Sequence, residues 1–434
     1  MAKSANEQPA IDRHPSLHPD RLAERQLLLD RERTRRFPDL FVRKLQRMST
    51  SPLAYLRGAA PLFFELLAAR PDLAEGPAGE GWLVGDMHLE NVGAYRPDPL
   101  GAAEPTSGRE SAGSKKRVVQ FDLNDFDDAV IGPWRLDVLR LSTSLLLGGR
   151  ELGANGLVAL ELCDLLLDAW ARSAFDGAPL PTEQPAPVAA LCEQVRSRSK
   201  TALLDARTAV TAGKRHFVRG PRYADLSAEV SGAVPAAFEA YVAALSDDDH
   251  PHKGSLEIID SALRIAGTGS LGGLRIAVLV KGKGDPDGAW IFDMKEQGDP
   301  SATAILGAPS LVPAERVATA FRTAVERPPR MMGCTMLAAS AGSPKLSMFV
   351  RKLSPQEDKL NLRRLHGADL PALATYLGAL LGSAHARAAT KKPPKRWAAS
   401  DLGLIRTHAI ELAGIHEAVY LALCERMRAL LPKA

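Results

Sequence analysis

Aromatic residues make up only 5% of this 434-residue chain, and there are just four cysteines. Cys163, Cys192, Cys334 and Cys424 are far apart and form no C-x-x-C pair. That argues against a disulfide framework or a zinc site and for a reducing, cytoplasmic compartment. No window reaches the roughly 18 uninterrupted apolar residues that span a bilayer. The opening MAKSANEQPAIDRHPSLHPD has no apolar stretch of the secretory kind, so no membrane partner is expected. A formal charge of +4 is too mild to imply nucleic acid. Internal repeats at solenoid periods are missing too. What is present is an ordinary globular composition, 45% hydrophobic and 24% charged, long enough for two or three cores.

Polarity and proline content mark residues 1–19 as a disordered N-terminus. Helical patterns follow from Asp20 to about Arg36, after Phe37-Pro38, and from Pro61 to Ala69. Short apolar strands are expected at 81–85 and 117–121, separated by a flexible loop over 97–116. Two helices should occupy 136–174, and two or more should extend from a proline-rich linker at 176–187 to about Leu245. Leu274, Ile276, Val278 and Val280 alternate on one face. A Gly/Asp/Pro turn and a returning strand, 289–296, complete a hairpin. A helix near 313–326 and strands near 334–339 and 346–352 follow, and the chain is helical from Leu370 onwards. The fold class is therefore α+β: a helical part over 20–255, a small antiparallel β unit over 256–355, and a helical return over 356–434.

Three motifs carry chemistry. Gly85-Asp-Met-His-Leu-Glu-Asn91 follows a strand and places Asp86 and Asn91 five positions apart on a turn. That spacing suits phosphoryl transfer, with the carboxylate taking an acceptor proton and the amide oxygen helping to hold Mg²⁺; a plain polar turn capped by Asp86 is the other reading. G-D-x-H also opens the metal site of calcineurin-like phosphoesterases, but the GDxxD and GNH segments those enzymes need are missing. The second motif, Phe121-Asp-Leu-Asn-Asp-Phe-Asp-Asp-Ala129, crowds Asp122, Asn124, Asp125, Asp127 and Asp128 into seven residues. Such repulsion calls for a cation or for hydrogen-bond donors, and a hard cation such as Mg²⁺ suits the oxygens. The third, Gly267-Thr-Gly-Ser-Leu-Gly272, is a G-x-G-x-x-G followed by a strand, which excludes a dinucleotide-binding turn. In a hairpin, Gly267, Thr268, Gly269, Ser270 and Gly272 would let backbone N–H groups approach phosphates. Lys295 then ends an apolar strand, either to meet those phosphates or as a structural lysine at a strand edge.

Together these motifs resemble the kinase-like superfamily, in the style of aminoglycoside phosphotransferases and choline kinases. More closely, the chain resembles the bacterial domain-of-unknown-function 2252 family. That likeness rests on Arg47-Met with Ser51-Pro, Leu56-Arg-Gly58, GDMHLENVG, FDLNDFDDAVIGP with Asp137, GTGSLG, MKE at 294–296 and AHAR at 384–387. The resemblance implies a two-lobed kinase-like fold that binds ATP and Mg²⁺. It makes Asp86 the catalytic aspartate, Asn91 a metal ligand, and Asp125 the second metal ligand with Asp122 and Asp127 as rivals. It makes Lys295 the lysine that steadies the α- and β-phosphates. A glutamate partner for that lysine is not marked in the sequence; Glu315 has a plausible separation. Asp137 is expected to be structural, opening a helix as its cap. Because Asp86 precedes Gly267 by about 180 residues, the lobes would be circularly permuted.

Between 196 and 222 lie Arg196, Arg198, Lys200, Arg207, Lys214, Arg215, Arg219 and Arg222 against one acid, Asp205. They form either an exposed helix face or a basic wall that recruits an anionic substrate or regulator. His385 and Arg387 either face the cleft or cap carbonyls. The expected function is ATP-dependent phosphotransfer to a small-molecule acceptor, an anionic one included. Protein phosphorylation, nucleotidyl transfer and a nucleotide-binding pseudokinase scaffold are the alternatives.

Overall fold

The computed structural model describes residues 17–97, 119–199, 201–251, 254–269, 271–284, 287–338, 344–391 and 395–430. Residues 1–16, most of the 97–116 loop and Ser270 lie outside them. The architecture is mixed: long helices accompany one two-stranded and one three-stranded sheet, and a six-stranded antiparallel sheet carries a further two-stranded hairpin against it.

That sheet has six strands in the order Met332–Leu337, Leu346–Leu353, Trp290–Glu296, Arg275–Val280, Ile258–Arg264 and Tyr223–Ala224. Every pairing is antiparallel; the four strands expected within 256–355 are present, and two more, Ile258–Arg264 and Tyr223–Ala224, extend the sheet at one side. The alternation read from the sequence is the cause. Ile276, Val278, Val280, Phe292 and Met294 point to one face and are buried with Phe238 and Tyr241 of the helix Ala228–Ala243. Each such side chain stabilises the fold by about 1.5–3 kcal/mol. The opposite face is divided. Ala277, Leu279, Ile291 and Leu353 pack with Leu204, Phe217 and Tyr223, while Arg275, Asp293, Lys295 and Arg351 line the cleft described below.

The two or more helices expected before Leu245 form, with an element between them that was not expected. Helices form at Ala186–Ser197, Ala202–Asp205 and Ala228–Ala243, but a β-hairpin, Thr208–Thr211 with Lys214–Phe217, stands between them. Its turn is built on Ala212 and Gly213, both at positive φ. The basic stretch is therefore no helix face. Arg215 is buried against Thr208, Asp205 and Asp287, and Arg219 is held by Asp225 and Asp260.

The helical part centres on the contact between Gly156–Asp176 and Leu370–Arg387. Glycine permits their close approach. A Cβ on Gly378 would lie 2.1 Å from the Leu166 carbonyl oxygen, and one on Gly382 2.4 Å from that of Trp170. Gly378→Ala should therefore push the helices apart and cost about 1–3 kcal/mol, measured by urea unfolding. Gly414→Ala, exposed in the helix Ala399–Leu430 with nothing within 4 Å, should instead raise stability by about 0.5–1 kcal/mol.

Candidate active site

The first motif is a turn pinned by one face of a neighbouring helix, Arg135–Glu151. Fully buried Asp137 accepts hydrogen bonds from the Val84 N–H (2.6 Å) and the Gly85 N–H (2.9 Å). One turn on, Arg140 places Nε 2.8 Å from Asp86 Oδ1, with Nη2 on the same oxygen. The Ser144 hydroxyl then accepts from Leu89 N–H at 3.1 Å. Positions i, i+3 and i+7 share a helix face, so one stripe fixes backbone, charge and turn. Asp137 is thus not a cap but a brace within the first helical turn. It also meets His385 Nε2 at 3.1 Å, and His385 Nδ1 accepts from the Trp170 indole at 3.1 Å, which assigns the ring proton to Nε2. His385 stays buried outside the cleft, and Arg387 donates to the Ala324 carbonyl.

Asn91 donates to the Asp86 carbonyl oxygen at 2.6 Å through its amide nitrogen, so its Oδ1 is the atom left for a cation. Burial, opposed by Arg140 and assisted by Asp128 and Asp125, pushes the Asp86 carboxyl up to about 7. His88, buried with its Nε2 4.0 Å from Asp86 Oδ2, is held well below its usual range by burial and by Arg57 and Arg140.

The acidic turn follows the paired strands Val92–Tyr95 and Gln120–Leu123. Its four aspartates take separate roles. Asp122 is buried in the strand, bonded to the Leu123 N–H and the Gln120 amide, and borders neither cavity described below. Burial lifts it to about 6. Asp127 is occupied as well: Lys295 Nζ sits on one oxygen and the Gln297 amide on the other at 2.9 Å. The rival for metal binding is instead the partner of the lysine. Glu315 is exposed and lies beside Cys334, whereas the next residue, Arg316, is buried and donates to the Asp127 and Ala129 carbonyls. Asp128 accepts from Ser301 N–H at 2.6 Å. Asp125 remains. Burial opposes its charge, yet Lys295, Lys359, Arg275 and Arg351 together hold it well below the usual carboxylate range.

The glycine turn reaches the same place. A Cβ on Gly269 would lie 2.9 Å from the Arg57 carbonyl oxygen and 3.9 Å from Asp86 Oδ2. Gly267 and Gly272 adopt positive φ, and Gly272 presses on the Arg33 carbonyl. Two N-terminal helices, Pro19–Arg33 and Asp39–Met48, clasp this turn: Arg47 binds the Gly267 carbonyl oxygen, and Lys44 binds that of Gly269 at 3.4 Å. Lys44 is also paired with buried Asp30 at 2.8 Å. Lys295 emerges from Trp290–Glu296, lowered to about 8 by burial against the pull of Asp125.

These parts enclose two adjoining cavities. The outer, about 670 Å³, is bordered by Asp86, His88, Asn91 and Asp125 with Gly267, Thr268, Gly269 and Gly272 above them. The inner, about 450 Å³, lies under the sheet and is bordered by Asp125, Asp127 and Lys295. Residues 36–422 match DUF2252, described as an uncharacterized protein conserved in bacteria. The chain belongs to that family. No curated protein and no solved structure matches this DUF2252 chain. Among its described residues no helix is long and apolar enough to cross a membrane, and no three His, Cys, Asp or Glu side chains form a group able to hold a metal ion. Mg²⁺ is compatible with fewer protein ligands, because one or two carboxylates suffice when water and substrate phosphates complete the shell. Asp125 with the Asn91 oxygen fits that pattern.

Sequence reading missed Arg140, His88 and the N-terminal clasp. The signal for Arg140 was its spacing of three from Asp137 in an otherwise apolar helix.

A proton on Asp86 is held more tightly in the folded chain, near 7, than in the unfolded one, near 3.9. Its contribution to stability is thus complete below pH 4 and lost as pH rises through 7. Relative to Asp86→Asn, the wild type should lose about 1–3 kcal/mol of unfolding free energy between pH 5 and pH 8. A pH-independent difference in urea titrations would show that Asp86 ionises normally.

Proposed function

We propose that this protein is an ATP- and Mg²⁺-dependent transferase that passes a phosphate-containing group to a small-molecule acceptor, on a kinase-like, two-lobed and circularly permuted scaffold. The observation that carries the reading is convergence. Asp86, Asn91 and Asp125 border the same cleft as Gly267, Gly269 and Lys295, some 180 residues further along the chain. A permuted order is also supported by the end of the helix Leu370–Arg387, where the Ala388 carbonyl accepts from Trp82 N–H at 3.0 Å. The segment that would precede the Asp86 turn in an unpermuted chain thus adjoins it.

Each residue then has a task. Arg140 fixes Oδ1 of Asp86, and Oδ2 faces the glycine turn as acceptor of the hydroxyl proton. A base near pH 7 is suited to neutral conditions. Lys295 exchanges Asp127 for phosphate oxygens, and the glycine turn offers N–H groups without Cβ interference. Asn91 and Asp125 would hold Mg²⁺, which when bound neutralises charge on the phosphates. The acceptor comes in beside Asp86.

Mg²⁺ with ATP should raise unfolding free energy by about 2.7 kcal/mol at 100 times the dissociation constant, seen as a shift in Tm. No shift with ATP, ADP or GTP would remove the reading. Asp86→Asn should leave nucleotide affinity nearly intact and cut turnover by roughly 10²–10⁴, whereas Asp125→Asn should weaken metal-dependent binding. Equal large affinity losses in both would show the roles to be misassigned.

A further inference from the structure

The two cavities carry opposite charge. Eight basic side chains and five acidic ones line the inner cavity, whereas six basic and eight acidic ones line the outer. The excess inside comes from Arg198, Arg207, Arg222, Arg264, Arg275 and Arg351. Three of these belong to the basic stretch singled out in the sequence. The structure thus divides that stretch, with Arg215 and Arg219 spent on structural ion pairs and Arg198, Arg207 and Arg222 turned to the cavity.

Some of the positive charge is already answered. Arg264 and Arg275 share Asp293, Arg351 meets Glu357, and Arg198 meets Asp358. Yet Arg207 and Arg222, both at the cavity wall, form no ion pair among the described residues. Burial and the neighbouring Arg275 lower Arg264 to about 10, even with Asp293 beside it. Guanidinium charge left without a counter-charge at a cavity wall attracts an anion. A purine brings no charge to answer it; a triphosphate does, and guanidinium groups bind phosphate oxygens in pairs.

We infer that the phosphate chain of a nucleoside triphosphate lies in the inner, arginine-lined cavity and the nucleoside in the outer one. This rests on the nucleotide reading above. In that orientation the α-phosphorus lies at the junction where Asp125, Asp127, Lys359 and Gly267 of the glycine turn border both cavities, on the side nearer Asp86. The reaction is then nucleotidyl transfer. The acceptor oxygen forms a bond to the α-phosphorus and loses its proton to Asp86. The bond from that phosphorus to the bridging oxygen breaks, and pyrophosphate leaves with the electron pair. The products are the nucleotidylated acceptor and pyrophosphate.

The test is calorimetric titration of the full chain with ATP and with inorganic tripolyphosphate, Mg²⁺ present, followed by product analysis of slow ATP turnover. Arg207→Gln and Arg222→Gln should each weaken both ligands about tenfold or more, with folding checked by thermal melts. Arg35→Gln, bordering the outer cavity, should change neither. Tripolyphosphate should compete with ATP, and turnover should release AMP and pyrophosphate. ATP binding unchanged in both inner-cavity variants, or release of ADP and phosphate, overturns the orientation and leaves the nucleotide reading standing. A wild-type chain that binds tripolyphosphate but not ATP overturns the nucleotide reading, and this inference with it.

Discussion

Everything at the cleft depends on how the turn 84–91 is held, and a single helix face holds it. Asp137 is fully buried, and a carboxylate in that position is tolerable only when donors surround it. It finds them in two backbone N–H groups and the His385 ring. Bonds of this charge-assisted kind contribute about 1.5–3 kcal/mol each, enough to hold a backbone with no regular structure of its own. The same face carries Arg140, whose guanidinium stands 4.6 Å from the Phe63 ring and also bonds to the Leu56 carbonyl. Asp86 is therefore oriented from beneath before any ligand enters.

A second constraint is steric. Gly85 has positive φ, and a Cβ there would lie 1.9 Å from the Asp128 carbonyl oxygen. The two polar turns are in backbone contact, so a shift in one is transmitted to the other. Phe126, between Asp125 and Asp127, is buried against Phe321 of the helix Pro313–Ala324, ring centroids 4.8 Å apart. That packing separates its neighbours: Asp127 goes to Lys295 and Gln297, and Asp125 to Lys359.

The sheet and the long helices were readable because hydrophobic period alone specifies them. Leu274 to Val280 alternates, and 136–174 repeats as helices do. The three motifs were readable because their residue types are chemically expensive to place together. Roles inside the acidic turn were not, since five similar side chains differ only in which neighbours reach them, and those neighbours, Gln297, Ser301 and Lys359, lie far away in sequence. The hairpin at 208–217 was hidden for a local reason. Its turn uses Ala212 at φ 51 where Asn or Gly would announce a tight turn. The clasp of Lys44 and Arg47 on the glycine turn involves partners more than 200 positions apart, and no local pattern encodes such a contact.

The closing contact between Trp82 and Ala388 has a bearing on how the protein comes into being on the ribosome. The strand that leads into the Asp86 turn is emitted early, yet the residue that bonds to its backbone is made some 300 positions later. Lys359, beside Asp125, also arrives late. Chains synthesised from the N-terminus acquire their long-range contacts last. The nascent polypeptide thus carries its acidic turns without a formed cleft around them until the helix that ends beside Ala388 has been made.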